Sequence, residues 1–395
     1  MKIIVLKFGG TSVGTLVKIA KISKIIISYI KKKYKVVVVT SAMSGVTNEL
    51  IKKAAKISKN FPNSERDVLL STGEQMASAL IAGKLCDLGF KSRSWLSWQI
   101  PVITRGNYSS ARILKIETNK IKKYLKMGGT PIITGFQGIN KENRITTFER
   151  GGSDASAIML AKFFKAKRCI IYTDVDGVYT TDPNLTKKAK KLKVLSYEEM
   201  LEMSSLGAKV MQPASIQDAK LNKVKIEVKS SFIDKPGTQI VGRKKINDVN
   251  IIRGVSFTKN DAKVSLLGVK DRPGVAAAIF EPLYKNSINV DMVVQNISSD
   301  GKETDLTFTI KSDDLLKTKK LISKNKKIKF KKLIVDKNVA KVSIVGVGMI
   351  TTPGVTYRMF QALANKKINI LVISTSEIKI SVLIQNKNLK KSVEL

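Results

Sequence analysis

The chain has 395 residues, of which 43% are hydrophobic, so general disorder is excluded and two or three folded domains are predicted. It contains no histidine, which excludes imidazole as a general base and as a metal ligand. The formal net charge of +40 comes from lysines spread along the whole chain, and only 6% of the residues are aromatic. A basic protein can bind nucleic acid or an anionic membrane, but this distribution favours solvated lysine-rich faces and neither partner.

The two cysteines and the N-terminus bear on the cellular compartment. Cys86 and Cys169 have apolar neighbours and no spaced partners, which predicts small buried side chains rather than a disulfide or a metal site. No stretch is long and apolar enough to span a bilayer, and the first residues do not form a signal-peptide pattern. We therefore expect a cytoplasmic protein.

The chain opens with a strand–helix–strand pattern. Buried strands are predicted at 3–6 and 36–39, and a helix with apolar residues at helical spacing lies between them at 16–30. This order is typical of a parallel sheet, which binds ligands at the carboxyl ends of its strands. Lys7 and Ser41 fall at the carboxyl ends of the two strands.

Further elements follow along the first 245 residues. Helical patterns occupy 48–57, 66–85, 116–125, 197–206 and 208–221. Strand patterns occupy 89–94, 101–104, 130–134, 169–174 and 224–229.

The segment 130–160 combines several features of an anion site. A buried strand ends at Gly135, a polar insert follows, and Gly151 and Gly152 then precede a helix whose exposed N–H groups can hold an anion. Arg150 offers a planar, two-pronged donor for a carboxylate, and Asp154 adds an acidic group in the first turn.

The last third of the chain contains an internal repeat. Each copy predicts a strand, a Pro-Gly turn, an amphipathic helix and a second strand, so duplication makes two small modules. The matched segments are Ala262–Ser265 with Ala340–Ser343, Pro273–Val275 with Pro353–Val355, and Ile288–Val290 with Ile368–Ile370. The turns either serve only to pair the modules or form pockets for a small polar ligand.

These parts favour phosphoryl transfer. Lys7 with Gly9 and Gly10 at a strand end could hold a phosphate, although this short pattern alone has little specificity. Phosphoryl transfer needs positioning and charge neutralisation more than covalent help, and an ionised carboxylate acceptor needs no general base. Acyl transfer is disfavoured because no histidine-activated nucleophile is present.

Six motifs in chain order resemble the aspartate kinase family: Lys7–Val13, Ser41–Met43, Thr72–Gln75, Gly135–Gly138, Arg150–Asp154 and Thr173–Tyr179. The repeat, including Ile373–Ser381, is similar to that family's paired ACT modules. The resemblance covers nearly the whole chain. It implies an α/β amino-acid kinase fold, an open and mainly parallel sheet sandwiched by helices, followed by two α+β ACT modules. The implied division is a catalytic domain at 1–245, a first module at 246–338 and a second at 339–395.

The resemblance also implies the reaction: ATP and L-aspartate give 4-phospho-L-aspartate and ADP, with Mg²⁺, in the synthesis of lysine, threonine and methionine through diaminopimelate. By position it implies catalytic roles for Lys7, Arg150 and Asp154. The implied nucleotide-binding residues are Lys7, Phe8, Gly9, Gly10, Ser41, Thr173, Asp174, Tyr179, Asp182 and Lys209. The implied aspartate-binding residues are Thr47, Glu74, Arg150, Gly151, Gly152 and Ser153.

By the same resemblance, the ACT pair would bind lysine or threonine as feedback inhibitors at the contacts of a homodimer or higher homo-oligomer. The implied effector residues are Gly274, Val275, Ala276, Asp291, Gln295 and Asn296.

Three departures from the family pattern qualify these expectations. Glu149 replaces a usual glycine and could either pair with Arg150 or point to solvent. Ala214 follows Pro213 where arginine is common, which predicts weaker dimer or nucleotide contacts. The chain reaches Leu395 soon after its last strand, where relatives usually add a helix, so an incomplete second module is expected.

Two other readings stay open beside an active aspartate kinase. One is an amino-acid kinase with a different acceptor. The other is a catalytically impaired protein that senses amino acids through its ACT pair, and its sequence mark would be loss of Lys7, Arg150 or Asp154.

Overall fold

The computed structural model describes residues 2–149, 151–207, 210–243, 246, 250–297, 303–325 and 327–395. They form two compact units. The first unit comprises the described residues of Met1–Val178, Lys191–Ser205 and Lys209–Asp248. The second comprises those of Tyr179–Lys190, Leu206–Ala208 and Val249–Leu395, so it includes a segment that lies within the predicted range 1–245.

The first unit contains twelve strands and seven helices among its described residues. The strands are β1 (Ile3–Phe8), β2 (Lys35–Thr40), β3 (Ser92–Trp95), β4 (Val102–Arg105), β5 (Arg112–Ile116), β6 (Thr130–Thr134), β7 (Gln137–Ile139), β8 (Ile145–Thr147), β9 (Cys169–Thr173), β10 (Val194–Ser196), β11 (Ile226–Ser230) and β12 (Thr238–Val241). The helices are α1 (Leu16–Lys31), α2 (Val46–Ile57), α3 (Asn63–Asp87), α4 (Asn119–Lys126), α5 (Gly152–Phe163), α6 (Tyr197–Ser205) and α7 (Pro213–Leu221).

An eight-stranded sheet forms the core of the first unit, in the order β10-β12-β11-β9-β1-β2-β6-β3. Its neighbouring strands pair in parallel except for the antiparallel pair β11–β12. Continuous apolar runs such as Val36–Val39 suit strands covered on both faces. Ile4, Leu6 and Phe8 pack with α1 and α3 on one face, whereas Lys7 points to α5 on the other. The predicted open, mainly parallel sheet between helices is confirmed.

The polar insert of segment 130–160 forms part of a second, smaller sheet, in the order β5-β4-β7-β8. Strands β7 and β8 form an antiparallel hairpin that returns the chain to the start of α5. The prediction of a helix from 116 is wrong at its start. Ile116 is the last residue of β5, where it pairs with Val102 of β4, and α4 begins only at Asn119. The predicted helix at 208–221 begins at Pro213, whose fixed φ suits the first helical position.

The second unit is built on one antiparallel six-stranded sheet, in the order β14-β15-β13-β16-β18-β17. Its strands are β13 (Gly254–Lys270), β14 (Val290–Ile297), β15 (Glu303–Lys311), β16 (Lys332–Val345), β17 (Val372–Ser376) and β18 (Lys379–Gln385). Its helices are α8 (Val275–Lys285), α9 (Leu315–Lys324), α10 (Val355–Asn365) and α11 (Leu389–Val393). The two repeat copies meet where the long strands β13 and β16 pair.

Two expectations about single features are corrected. Cys169 is buried as predicted, but Cys86 is exposed near the end of α3, so its apolar sequence neighbours did not indicate its burial. A closing helix was not expected after the last strand, yet α11 follows β18 there. Leu389 and Val393 of α11 are buried against the second module's core, because their spacing of four places them on one helix face.

Candidate active site

Lys7 and Asp154 form the charged centre of the site. Lys7 is near the end of β1, and its side chain points to the face of the sheet that α5 covers. Asp154 lies in the first turn of α5. The Lys7 Nζ is 2.6 Å from the Asp154 Oδ1, and the side chains are 11% and 9% exposed. The pairing compensates the cost of burying each charge and holds the ammonium group in one place.

The glycine loop after β1 is held tightly by its neighbours. The Gly9 N–H donates to the Tyr172 carbonyl over 3.1 Å, so this amide is not free to bind a phosphate. A Cβ on Gly10 would lie 2.9 Å from the Ala42 carbonyl, which leaves no room for a side chain. The Ser12 Oγ lies 2.5 Å from the Ser231 Oγ, which ties the loop to the end of β11.

Glu74 supplies a buried carboxylate in the middle of α3. It is 3% exposed, and its Oε1 accepts a hydrogen bond of 2.9 Å from the Ala42 N–H. Its Oε2 is buried without a hydrogen-bond partner among the described residues. Burial raises the pKa of Glu74 to about 7, against smaller opposing effects of the Ala42 and Glu74 N–H groups and the Lys7 charge. An unpaired buried oxygen of this kind is suited to a cationic ligand group.

The N-terminus of α5 is shaped by close backbone approaches. Gly151 caps the helix with a φ of 85°, and a Cβ there would lie 2.2 Å from the Gln212 Cγ. A Cβ on Gly135 would lie 2.9 Å from the Thr40 carbonyl and 3.0 Å from the Ser153 Oγ. Glycine at these positions therefore lets the ends of β2 and β6 meet the first turn of α5, where the helix dipole favours an anion.

The remaining predicted residues of the first unit occupy different environments. Ser41 follows β2 and Thr47 lies in the first turn of α2, and both are half-buried. The Thr173 Oγ1 donates to the exposed Asp174 over 3.0 Å at the end of β9. The Phe8 ring is fully buried and stacks on Tyr172, with 4.9 Å between ring centroids, so this side chain cannot contact a nucleotide.

Four predicted residues are not part of the first unit as described. Arg150 and Lys209 lie outside the described residues. Tyr179 and Asp182 belong to the second unit, in the segment Tyr179–Lys190, where the Asp182 Oδ1 accepts a hydrogen bond from the Asn184 N–H.

The departures at Glu149 and Ala214 lie near the start of α5 and in α7. The side chain of Glu149 is exposed and its carbonyl accepts from the Gly152 N–H, so the backbone turn into α5 does not depend on the side chain. Whether Glu149 pairs with Arg150 falls outside the described residues. Ala214 is exposed in the first turn of α7.

Five of the six predicted effector residues are grouped at one end of the first module's sheet. Gly274, with a φ of 87°, caps α8, where Val275 is buried and Ala276 is half-buried. Leu306 of β15 pairs with both Gln295 and Leu266, which places Gln295 at the end from which the Gly274 turn leaves β13. Asn296 follows Gln295 and is likewise exposed.

Asp291 lies farther along β14 and is already paired. Its carboxylate accepts a hydrogen bond from Lys341 of β16, a lysine whose side chain is only 5% exposed. This pair joins strands of the two repeat copies.

Two residues that the sequence analysis missed support the site. Ser231 binds Ser12, and its own N–H donates to the Thr173 carbonyl over 2.9 Å. Ser156 of α5 accepts from the Phe136 N–H over 3.0 Å. A polar pair at the end of a predicted buried strand, Ser230-Ser231, was the available signal for the first, whereas nothing local marked Ser156.

Metal-binding clusters and long apolar helices are both absent from the described residues. No group of three or more cysteine, histidine or acidic side chains in these ranges could hold a metal ion. No helix within them is both long and apolar enough to cross a membrane.

Comparisons with known proteins agree with this geometry. A model of the Amino acid kinase family matches residues 2–230, and an ACT domain model matches residues 264–325 and 342–395. The chain is 42% identical over 395 residues to the aspartokinase of Bacillus sp. (strain MGA3), covering 100% of this chain and 96% of that protein. It is 43% identical over 396 residues to the aspartokinase of Pseudomonas aeruginosa PAO1, with the same coverage.

Solved structures show the same likeness. Aspartate kinase from Synechocystis is 36% identical, with a TM-score of 0.57 over 99% of this chain and 68% of that chain. E. coli aspartokinase III in complex with aspartate and ADP has a TM-score of 0.79 over 99% of this chain and 98% of that chain. At 24% identity, that second likeness supports the fold alone.

Proposed function

The chain belongs to the aspartokinases of the amino acid kinase family, and we propose that it transfers the γ-phosphoryl group of ATP to the β-carboxylate of L-aspartate. The products are 4-phospho-L-aspartate and ADP, in the first step of lysine, threonine and methionine synthesis through diaminopimelate. The observation that carries the proposal is the buried Lys7–Asp154 pair beside a glycine loop, with the unpaired Glu74 oxygen on the neighbouring helix.

Aspartate binding follows from charge complementarity. The substrate ammonium would bind the Glu74 Oε2, which satisfies a buried oxygen and keeps that carboxylate ionised. Arg150 would hold the α-carboxylate with two parallel hydrogen bonds. Gly151, Gly152, Ser153 and Thr47 would line the pocket, since the first three form the N-terminus of α5.

The transfer step needs no proton acceptor. An oxygen of the aspartate β-carboxylate, ionised at neutral pH, attacks the γ-phosphorus, and the bond to the ADP oxygen breaks. Lys7 would neutralise charge on the transferring group, and Asp154 holds the lysine in position. The Gly10 N–H would add a backbone donor, since the Gly9 N–H is already bound to Tyr172.

The remaining nucleotide contacts are proposed from the family pattern. Ser41 follows β2, Thr173 ends β9 and Asp174 follows it, at the edge where parallel sheets bind ligands. Tyr179 and Asp182 would also line the nucleotide, and Lys209 would reach its phosphates. Phe8 would contribute only through its backbone, because its ring is buried.

A magnesium ion fits the donor set of the site. Mg²⁺ in kinase sites is held by nucleotide phosphates, water and one or two carboxylates, so a protein cluster of three acids is not required. The described residues contain no such cluster, and Asp154 is one of the two buried carboxylates of the site, the other being Glu74. The ion would neutralise charge on the β- and γ-phosphates.

We place regulation and assembly in the second unit, which contains the predicted effector residues. Lysine, threonine or both would inhibit by binding near Gly274, Val275, Ala276, Gln295 and Asn296, with Asp291 adjacent. The ACT pair would join two chains in a homodimer or higher homo-oligomer, under the division 1–245, 246–338 and 339–395. Titrating lysine and threonine, singly and together, into the activity assay tests this regulation.

Hydroxamate trapping of the acyl phosphate, with ATP, Mg²⁺ and aspartate, tests the activity. We expect aspartate-dependent hydroxamate from the wild type and its loss in Lys7→Ala and Arg150→Ala. The rival reading, an impaired amino-acid sensor, predicts effector binding without hydroxamate. The retained Lys7–Asp154 contact favours the active enzyme. Hydroxamate formed with another amino acid but not with aspartate would favour a kinase of altered acceptor.

A further inference from the structure

Helix α3 is joined to the β7–β8 hairpin along one side of its N-terminal half. Glu65, in the first turn of α3, pairs with Arg144 of the hairpin turn. Two turns later, the Ser71 carbonyl accepts a hydrogen bond of 3.0 Å from the Gln137 Nε2 of β7. Between these two contacts lies Asp67, which is fully buried.

Asp67 binds four donors from two separate segments. Its Oδ2 accepts from the backbone N–H groups of Ser109 and Thr147, over 2.9 and 2.6 Å. Its Oδ1 accepts from the hydroxyls of the same two residues, over 2.7 and 2.8 Å. All the acceptor positions of the carboxylate are therefore used, so it is held in a single orientation.

The position of Asp67 connects two parts of the proposed aspartate pocket. Asp67 and Glu74 are seven residues apart, which places both on the same face of α3. Thr147 ends β8, and the segment Arg150–Ser153 follows it after two intervening residues. One buried carboxylate thus ties the helix that carries Glu74 to the strand that leads into the start of α5.

We propose that Asp67 is a positioning residue that sets the geometry of the aspartate pocket, an inference that rests on the proposed function. It touches neither substrate nor nucleotide. It fixes α3, and with it Glu74, against the strand that precedes the carboxylate-binding segment. Because the loop after β1 is held by Tyr172 and Ser231 instead, loss of Asp67 affects aspartate binding and spares the nucleotide.

The four contacts predict different outcomes for two substitutions. In Asp67→Asn the amide oxygen can accept both backbone N–H groups, and the amide NH₂ can donate to the two hydroxyls, which rotate to accept. This variant keeps the connection. In Asp67→Ala the two N–H groups and two hydroxyls lose their acceptor in a buried place, so the segments separate or admit water.

The experiment measures KM for aspartate and for ATP by hydroxamate trapping, with thermal unfolding of each variant. Asp67→Ala should raise KM for aspartate about 10- to 100-fold while KM for ATP stays within about twofold. Asp67→Asn should behave nearly as wild type. The matched control is Glu199→Ala, which removes another fully buried carboxylate, one that accepts from the Ser196 N–H and hydroxyl in the same unit. It should lower stability without changing either KM.

A milder variant covers the case in which Asp67→Ala does not fold. Thr147→Val keeps the backbone N–H contact and loses only the hydroxyl contact, so KM for aspartate should rise several-fold with KM for ATP unchanged. Equal changes in both KM values, or the same aspartate effect in Glu199→Ala, would overturn the inference. A wild type that forms no aspartyl hydroxamate would instead refute the proposed function and leave the Asp67 contacts without this role.

Discussion

At the residue scale, the proposed chemistry depends on single buried charges. Lys7 is close to a carboxylate that balances its charge, whereas Glu74 has one oxygen with no partner among the described residues. The charge of Lys7 is balanced without a ligand, whereas the unpaired oxygen of Glu74 would gain its partner from a cationic ligand group. The two residues therefore predict different responses to substitution and to pH.

Replacing Lys7 by methionine should abolish most of the catalysis and lower the free energy of unfolding, because the buried Asp154 carboxylate loses its partner. The variant keeps most of the length of the side chain but removes the positive group, so we expect kcat to fall about 10²- to 10³-fold. KM for aspartate should change little. Lys2→Met, at an exposed lysine just before β1, is the control and should retain wild-type kinetics. A Lys7→Met enzyme with normal kcat in steady-state assays would remove Lys7 from the reaction.

The pKa of Glu74, raised to about 7, predicts a pH-dependent KM for aspartate. The substrate ammonium binds the ionised carboxylate, and protonation below pH 7 removes that form. KM for aspartate should therefore rise about tenfold between about pH 7.5 and about pH 6, with KM for ATP constant. A wild-type KM for aspartate that is flat across this range would contradict the assignment. Glu74→Gln should bind aspartate weakly at both pH values.

The same shift makes a prediction about stability. The folded chain binds the Glu74 proton more tightly than the unfolded chain, so the free energy of unfolding falls as pH rises from about 4.5 through about 7. The full loss is about 3 kcal/mol. Glu74→Gln lacks this loss, so urea unfolding should show its stability relative to wild type increasing between pH 5 and pH 8. A difference that does not vary with pH would contradict the raised pKa.

Close approaches between elements matter most where β2, β6 and α5 meet. The ends of the two strands approach the first turn of the helix at Gly135, and the backbone there leaves no space for a methyl group. In contrast, Gly83 within α3 has open space around its Cβ position. A side chain is therefore sterically excluded at Gly135 and sterically allowed at Gly83.

Gly135→Ala and Gly83→Ala should therefore have opposite effects on stability. The first forces the Thr40 carbonyl or Ser153 to move and should destabilise the first unit by about 1–3 kcal/mol. It should also raise KM for aspartate, since Ser153 lies in the proposed pocket. The second improves helix propensity and should stabilise α3 by about 0.5–1 kcal/mol. Urea unfolding of both variants checks this, and equal effects would show that the approach at Gly135 is not tight.

Net charge is the property that acts over the whole molecule. The formal charge of +40 means that lysines repel one another wherever acidic partners are lacking. Added salt screens this repulsion, since the Debye length is about 8 Å at physiological ionic strength. We expect the Tm to rise when NaCl is increased from about 20 to about 300 mM. A Tm that falls over this range would show that ion pairs outweigh the repulsion.

The sequence by itself indicated most of the main strands and helices, the charged residues that we propose for the site and the repeat of two modules. Short runs of β-branched residues such as Val36–Val39 indicate buried strands, and a lysine followed by glycines at a strand end is compatible with an anion site. These signals are local, so they survive without knowledge of the fold. The family motifs extended them to roles for Lys7, Glu74 and Asp154.

Only the tertiary structure decided which of those groups have partners and which do not. The 2.6 Å contact between Lys7 and Asp154 and the four donors around Asp67 join residues far apart in the chain. The Glu74 oxygen that has no partner among the described residues likewise depends on which segments surround it. The hairpin within the polar insert and the exposure of Cys86 were missed for the same reason. Burial and hydrogen bonding depend on which segments pack together, and no local pattern of residues specifies that.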